Sequence, residues 1–152
     1  MPEQHGELLH RLYEAFNQRD MPGMLDCFDP DIEISAPDGL EYASLMVHLL
    51  GGRFVVLLDK YQGHQEVRRL YEAVWAISDF FLVEPQEFLE QGSSVLVPVV
   101  IRARSAEGGN ANEAHATHLW TMSGGKLTSL RIFVDRSRAM AAIGLVDQGK
   151  EE

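Results

Sequence analysis

Apolar side chains recur every three or four positions in three stretches of the chain, which is the spacing of one buried face of a helix. The stretches are 5–18, a shorter one that begins at Asp20 with Pro22 in its first turn and ends at Asp29, and 64–78. Each stretch therefore predicts an amphipathic helix that packs one face against a core.

Elsewhere the pattern changes to an alternation of apolar and polar residues, which predicts β-strands. A short strand is expected at 31–36, and four longer strands are expected at about 80–90, 93–105, 113–123 and 126–135. A short helix at 137–144 follows, and the charged tail after Val146 is expected to fray. Because helices and strands fall into separate blocks, we predict one α+β domain over 1–152, with about three helices against a curved, mostly antiparallel sheet.

Residues 40–62 form an unusually apolar insertion between two of these elements. Leucines and valine at 45–50 predict a short helix, Gly51-Gly52 ends it, and the stretch from Phe54 to Leu58 predicts a short strand. Two interpretations of this insertion stay open. It is either additional core or a subunit contact, which large apolar patches more often mark, or a lid over an apolar cavity.

Composition and charge narrow the range of functions. The 152 residues are 45% hydrophobic and 24% charged, which is typical of a globular domain, and the formal net charge of −10 disfavours nucleic acid and anionic membranes as partners. The longest apolar run, Val95 to Ile101, is too short to span a membrane. The polar N-terminus lacks the apolar core of a signal peptide, so we expect a cytoplasmic protein.

Residues suited to covalent, metal or nucleotide chemistry are sparse. The single Cys27 falls on a predicted helix face, and no serine lies in a strand-turn-helix elbow. His115 and His118 are three positions apart on a predicted strand, so their side chains should point to opposite faces of the sheet. No glycine-rich phosphate loop is present. We therefore expect no metal, nucleotide or other cofactor.

Three segments, 12–39, 61–72 and 115–145, resemble the SnoaL-like branch of the nuclear transport factor 2-like superfamily. The last segment contains a strand similar to the family's histidine–x–tryptophan strand, here His118 and Trp120, followed by a glycine-lysine hairpin and a closing helix. The resemblance implies a cone-shaped fold with a central pocket, lined by the concave face of the sheet and by two of the helices. It also implies a dimer packed through the sheet.

The resemblance assigns residues to this pocket. Its implied apolar wall consists of Leu12, Phe16, Ala36, Tyr71, Trp75, Trp120, Met122, Leu130 and Ile132. His118 is the candidate proton-handling group and Tyr13 its candidate assistant, while Tyr42 and Tyr71 could supply further hydroxyl groups. The alternative for His118 is a structural histidine whose ring is bonded to a tyrosine or a backbone carbonyl.

The carboxylates of the superfamily's enzymes have no counterpart in this chain. Comparison with the ketosteroid isomerases places their general base on Ala36, their oxyanion tyrosine on Leu12, next to Tyr13, and their protonated acid on His118. The carboxylate that limonene epoxide hydrolases and SnoaL-type cyclases carry on the last strand falls on Ile132. An apolar side chain cannot accept a proton, so neither route is available unchanged.

Three hypotheses about function remain. In the first, the chain is a small-molecule-binding protein that acts on an apolar ring-containing substrate as a cofactor-independent acid–base enzyme of the isomerase, cyclase, dehydratase or epoxide hydrolase type. In the second, it is a non-catalytic ligand-binding module. In the third, it is a dimeric interaction protein whose pocket is filled. We expect a homodimer through the open sheet face, since Phe133 and the outward residues of 93–105 should leave an apolar surface there. Arg102 and Arg104 are expected to be solvated or interfacial.

Overall fold

A computed structural model of the protein describes residues 2–50 and 60–144. Within these ranges the chain forms five helices and seven strands. In chain order they are α1 (Pro2–Asn17), α2 (Met21–Cys27), β1 (Phe28–Ser35), α3 (Gly39–Leu50), β2 (Tyr61–Gln62), α4 (Gly63–Ala76), β3 (Ser78–Pro85), β4 (Leu89–Gln91), β5 (Ser94–Ser105), β6 (Asn112–Ser123), β7 (Lys126–Phe133) and α5 (Arg136–Ala142).

The strands form one curled sheet in the order β2-β1-β7-β6-β5-β3, with β4 paired to β5. Every pairing is antiparallel except that of β1 with β7, which is parallel. The sheet curls into a half-barrel, and the helices and strands make a cone-shaped α+β domain. The predicted fold class is therefore confirmed.

The periodic patterns place the core between the concave face of the sheet and the helices. On α1, Leu8, Leu9, Leu12 and Phe16 are buried, as their helical spacing predicts. On β5, alternate residues from Val95 to Ala103 are buried against the same core. The Asp20 carboxylate caps α2 by accepting a hydrogen bond from the Gly23 backbone N–H at 3.1 Å, which fixes the turn between the first two helices.

Several element boundaries differ from the predicted ones. The second helix ends at Cys27, because Phe28 already pairs with β7 as the first residue of a strand. The strand predicted at 80–90 is two strands, β3 and β4, that pair separately with β5. The short helix predicted at 45–50 is longer in the structure, because α3 already begins at Gly39, and its Met46 and Leu49 are buried in the core. The strand predicted at 54–58 lies outside the described residues.

The convex face of the sheet is more covered than the sequence suggested. Helix α5 packs Ala139 and Met140 on Leu96, Leu119 and Phe133, and Phe133 is only 5% exposed. The expectation that Phe133 leaves an apolar surface open is therefore wrong, because the closing helix folds back over it.

The rest of the convex face remains partly open. Phe80 and Leu82 of β3 and Val100 of β5 are half-buried, and each pairs across the strands with a charged residue, which is Arg104, Arg102 and Glu84 respectively. Arg102 forms ion pairs with Glu84 and Glu113, each at 3.1 Å, and Arg104 forms one with Asp79. On this surface, half-buried apolar side chains therefore alternate with exposed ion pairs.

No helix in the described part of the chain is long and apolar enough to cross a membrane.

Candidate functional site

A cavity lies between the concave face of the sheet and helices α1, α3 and α4. The space open to the centres of water molecules is about 70 Å³. None of the described residues that line it is charged, and its polar groups belong to three tyrosines, one histidine and one tryptophan. An uncharged wall of this kind favours an uncharged, largely apolar occupant.

Three of these polar side chains form a continuous hydrogen-bonded row. The Tyr13 hydroxyl lies 2.8 Å from His118 Nδ1, and Trp120 Nε1 donates to the same hydroxyl at 2.9 Å. His118 and Trp120 are two positions apart on β6 and share its concave face, while Tyr13 reaches them from α1. All three residues are buried. The Tyr13 and His118 rings are also nearly parallel, with centroids 5.8 Å apart.

The directions of the hydrogen bonds within this row determine which ring nitrogen of His118 carries its proton. The Trp120 indole N–H can only donate, so the Tyr13 oxygen accepts this hydrogen bond. The Tyr13 hydroxyl proton then has one acceptor among the described residues, His118 Nδ1. The reverse arrangement would leave the buried hydroxyl proton without a partner. His118 therefore carries its own proton on Nε2, and the row donates in the order Trp120, Tyr13, His118.

Burial keeps this row uncharged at neutral pH. Loss of solvation lowers the pKa of His118 from 6.5 to about 4, since the imidazolium would be buried without a carboxylate beside it. Burial raises the pKa of Tyr13, although the hydrogen bond from Trp120 opposes this rise. Within the described residues, His118 Nε2 has no hydrogen-bond partner. The site thus presents a neutral imidazole N–H to an occupant of the cavity.

Two further tyrosines bring hydroxyl groups to the same cavity. Tyr42 lies on α3 and Tyr71 on α4. Neither hydroxyl has a hydrogen-bond partner in residues 2–50 and 60–144. Burial raises the pKa of both phenols, and the proximity of Tyr42 raises that of Tyr71 further. Both are therefore neutral hydroxyl groups that can donate or accept a hydrogen bond.

Helix α3 owes its position partly to Asp38, which precedes it. The Asp38 carboxylate accepts a hydrogen bond from the Val134 backbone N–H at 2.7 Å and pairs with Arg138 of α5 at 2.8 Å. Burial of Asp38 opposes ionisation, but these hydrogen bonds outweigh it and lower the pKa of the carboxyl. Asp38 thereby ties the start of α3 to the end of β7 and to α5.

Most residues that the sequence assigned to the pocket line the cavity in the structure. They are Leu12, Tyr13, Phe16, Tyr71, His118, Trp120, Leu130 and Ile132. Tyr42, which the sequence named as a possible source of a hydroxyl group, and Ile101, expected in the pocket wall, also line the cavity. The assignment missed Met46 of α3, for which the apolar helical pattern of the insertion was the available signal. It also missed Met24, Leu70, Val74, Phe81 and Val83, whose buried positions follow from periodicity alone.

Three assigned residues lie elsewhere. Ala36 is half-buried just after β1 and packs on the core outside the cavity. Trp75 is buried behind Phe16 and Tyr71, with ring centroids 5.6 and 6.2 Å away, and its Nε1 has no partner among the described residues. Met122 is buried in the same core as Trp120, but it lies beyond the end of the cavity, beside Leu8 and Arg11 of α1.

The two histidines of β6 occupy opposite faces of the sheet, as predicted. His115 is exposed, whereas His118 is buried against the concave side. In the described ranges, no group of three or more His, Cys, Asp or Glu side chains is placed to hold a metal ion.

Comparison with known families agrees with this architecture. The SnoaL-like domain matches residues 9–130, which is more than half of the chain. The chain belongs to the SnoaL-like domain family. No curated protein matches the sequence significantly.

Solved structures with the same fold cover almost the whole SnoaL-like chain. An NTF2-like protein of unknown function from Burkholderia pseudomallei is 23% identical, with a TM-score of 0.69 over 93% of this chain and 98% of that one. TerC, co-crystallized with polyporic acid, is 26% identical, with a TM-score of 0.68 over 92% and 97%. A candidate polyketide cyclase from Sinorhizobium meliloti is 17% identical, with a TM-score of 0.61 over 83% and 93%.

Proposed function

We propose that this SnoaL-like protein binds an uncharged, largely apolar ring-containing molecule and holds one oxygen of that molecule on His118 Nε2. The observation that carries the proposal is the hydrogen bond between Tyr13 and His118 Nδ1, which leaves the imidazole N–H available in an apolar cavity. The co-crystallisation of TerC with polyporic acid supports a small-molecule ligand in this family of structures.

The order of the hydrogen bonds makes His118 a strong neutral donor. Trp120 donates to Tyr13 and Tyr13 donates to His118, so each bond polarises the next one toward Nε2–H. A fixed donor in a cavity without charged groups stabilises negative charge that develops on a carbonyl oxygen. In triosephosphate isomerase, a neutral histidine polarises a carbonyl group in the same way.

Turnover would be cofactor-independent acid–base chemistry of the isomerase, cyclase, dehydratase or epoxide hydrolase type. In that reaction His118 is the catalytic residue, because it contacts the reacting oxygen, and Tyr13 holds its tautomer. Likeness to a candidate polyketide cyclase supports the cyclase type at the level of the fold. Because Nδ1 accepts the Tyr13 hydrogen bond and Nε2 carries a proton, His118 acts in this reaction as a hydrogen-bond donor and not as the base, so the proton to be removed must be acidic enough to pass to water or to another group of the substrate.

A non-catalytic carrier on the same fold is the second candidate. Ile132 stands in the cavity wall where related cyclases carry a carboxylate, and no acid lines the cavity among the described residues. A site without a base can bind and orient a ligand but leaves proton abstraction to the ligand itself.

The size of the cavity bears on both candidates. At about 70 Å³ it is smaller than an engineered cavity of roughly 150 Å³ that takes up benzene. Met24 and Met46 line it, and methionine side chains rearrange at low cost because they are unbranched. We therefore expect a ring-sized ligand to enter by displacing these two side chains.

The test is ligand binding by the wild-type chain and by matched histidine variants. 4-Methylacetophenone, an uncharged ring compound with one carbonyl oxygen, serves as the probe, and isothermal titration calorimetry measures its affinity. We expect His118→Ala to weaken binding by roughly tenfold or more, the value of one good hydrogen bond, and His115→Ala on the convex face to leave it unchanged. Incubation followed by mass spectrometry of the probe separates turnover from binding. Equal affinity for wild type and His118→Ala would contradict the proposal.

We further propose a homodimer through the open part of the convex face. Half-buried Phe80, Leu82 and Val100 lie there, among the exposed ion pairs of Arg102 and Arg104. A mixture of apolar and charged side chains matches the composition of a non-obligate protein–protein interface, which is about as apolar as the rest of a protein surface.

A further inference from the structure

Two hydroxyl groups in the cavity have no role in the hydrogen-bonded row of Trp120, Tyr13 and His118. Tyr42 and Tyr71 line the same cavity, and neither hydroxyl bonds to any described residue or to the other tyrosine. Both tyrosines are half-buried, so each hydroxyl reaches the water-accessible space of the cavity and can exchange water for a polar group of a ligand.

The packing of Tyr71 holds its hydroxyl in place. Its ring stacks on Trp75 with centroids 6.2 Å apart and meets the edge of Phe16 at 5.5 Å. A ring held from two sides cannot swing its hydroxyl out to bulk water without disrupting both contacts. Such a group is already oriented for a partner in the cavity.

Tyr42 is held through the helix that carries it. Arg138 of α5 pairs with Asp38 before α3 and with Glu41 in its first turn, next to Tyr42. His48 near the other end of α3 bonds to the Glu113 backbone carbonyl through Nε2 at 2.9 Å. Both ends of α3 are thus tied to other elements, so the Tyr42 hydroxyl also has a defined position in the wall.

The two hydroxyls share the cavity with the His118 row, because Tyr42, Tyr71, Tyr13 and His118 all line it. Three hydroxyls, from α1, α3 and α4, therefore face one cavity. Burial keeps all three protonated at neutral pH, which makes Tyr42 and Tyr71 binding groups rather than bases.

We infer that Tyr42 and Tyr71 are specificity-determining residues that bind a second oxygen of the ligand, so that the ligand class is an uncharged ring with two oxygen functions, one on His118 and one on the tyrosine pair. This inference rests on the proposed function. A tyrosine hydroxyl both donates and accepts, so the pair suits a hydroxyl or a carbonyl at this second position. A site built to bond a substrate hydroxyl discriminates strongly against an analogue that lacks it.

The test uses two probes that differ only at the second position. 4-Hydroxyacetophenone carries a carbonyl and a hydroxyl, and 4-methylacetophenone carries a methyl group of similar size in place of the hydroxyl. Calorimetric titration of the full chain should show a preference of roughly tenfold or more for the hydroxyl compound. Tyr71→Phe and Tyr42→Phe should each reduce this preference while leaving the affinity for 4-methylacetophenone nearly unchanged. His118→Ala should weaken both compounds alike.

The outcomes separate this inference from the proposed function. The proposed function stands if both compounds bind and His118→Ala weakens both. In that case the inference is wrong if the wild type shows no preference for the hydroxyl compound, or if that preference survives in Tyr42→Phe and Tyr71→Phe. If neither compound binds, or if His118→Ala leaves both affinities unchanged, both are overturned. Thermal melting provides an independent check, because removing an unpaired hydroxyl should leave the melting temperature unchanged or raised. A large decrease in either variant would show that its hydroxyl already has a partner and would overturn the inference.

Discussion

The Tyr13→Phe substitution is the sharpest test of the hydrogen-bonded row. It removes one oxygen atom and keeps the ring that packs in parallel on His118. The lost oxygen accepts the Trp120 indole N–H and donates to His118 Nδ1, so one change leaves two buried groups without partners. The side chain of Trp120 is almost fully buried and cannot turn to water for a replacement.

The expected loss follows from these two groups. A buried donor or acceptor left unsatisfied costs about 1–3 kcal/mol, and His118 can recover part of its share by changing tautomer. We therefore expect Tyr13→Phe to lower the free energy of unfolding by about 2–4 kcal/mol. For a domain of this size that corresponds to a decrease of roughly 5–15 °C in melting temperature.

Urea unfolding and thermal melting at pH 7 measure this loss. Tyr71→Phe is the matched control, because it removes a hydroxyl from the same cavity that has no partner among the described residues. It should stay within about 0.5 kcal/mol of the wild type. Nitrogen NMR of His118 should show Nδ1 unprotonated in the wild type and a mixture of tautomers in Tyr13→Phe. An unchanged stability of Tyr13→Phe would refute the assigned row.

Three further predictions follow from single contacts. His118 gains its proton below pH 6.5 in the unfolded chain but only near pH 4 in the folded chain, so the free energy of unfolding should decrease by roughly 3 kcal/mol as the pH falls from 6.5 to 4. Urea titrations at several pH values should show a smaller decrease for His118→Gln. Asp38→Ala should cost about 2–3 kcal/mol in chemical denaturation, because the Val134 N–H loses a charged acceptor; a value near zero would contradict its role at α3. If the proposed dimer forms, Val100→Glu should sediment as a monomer in analytical ultracentrifugation, whereas a monomeric wild type would rule out the proposed interface.

Much of the site could be predicted from local patterns. The helical spacing of α1 places Leu12, Tyr13 and Phe16 on its inward side, and the two-residue period of β6 places His118 and Trp120 together and His115 opposite. In a regular element the direction of a side chain depends only on its position in the repeat. The sequence therefore suffices wherever an element stays regular and one of its faces is apolar.

Only the tertiary structure decides which of these side chains meet. Tyr13 and His118 are 105 positions apart, and their hydrogen bond depends on how α1 lies across the sheet. The same packing places Trp75 behind Phe16 and Tyr71, and it leaves Met122 in the core beyond the end of the cavity although Met122 shares the strand face of Trp120. Contacts between elements depend on their docking and on register shifts, for which the repeat of either element alone carries no signal.

The burial of Phe133 on the convex face and the position of the Tyr42 hydroxyl in the cavity wall also depend on how helices dock on the sheet. Helix α5 buries Phe133, and α3 brings Tyr42 to the wall through ties from Asp38 and Arg138. The sequence by itself determined an α+β domain and placed His118 on the strand face opposite His115, because these depend on periodicity, while its resemblance to the SnoaL-like family implied the cone and the pocket that His118 faces. The partner of that histidine and the hydroxyls around it were decided by tertiary packing, because a hydrogen bond across elements requires their relative position to be fixed within a fraction of an ångström.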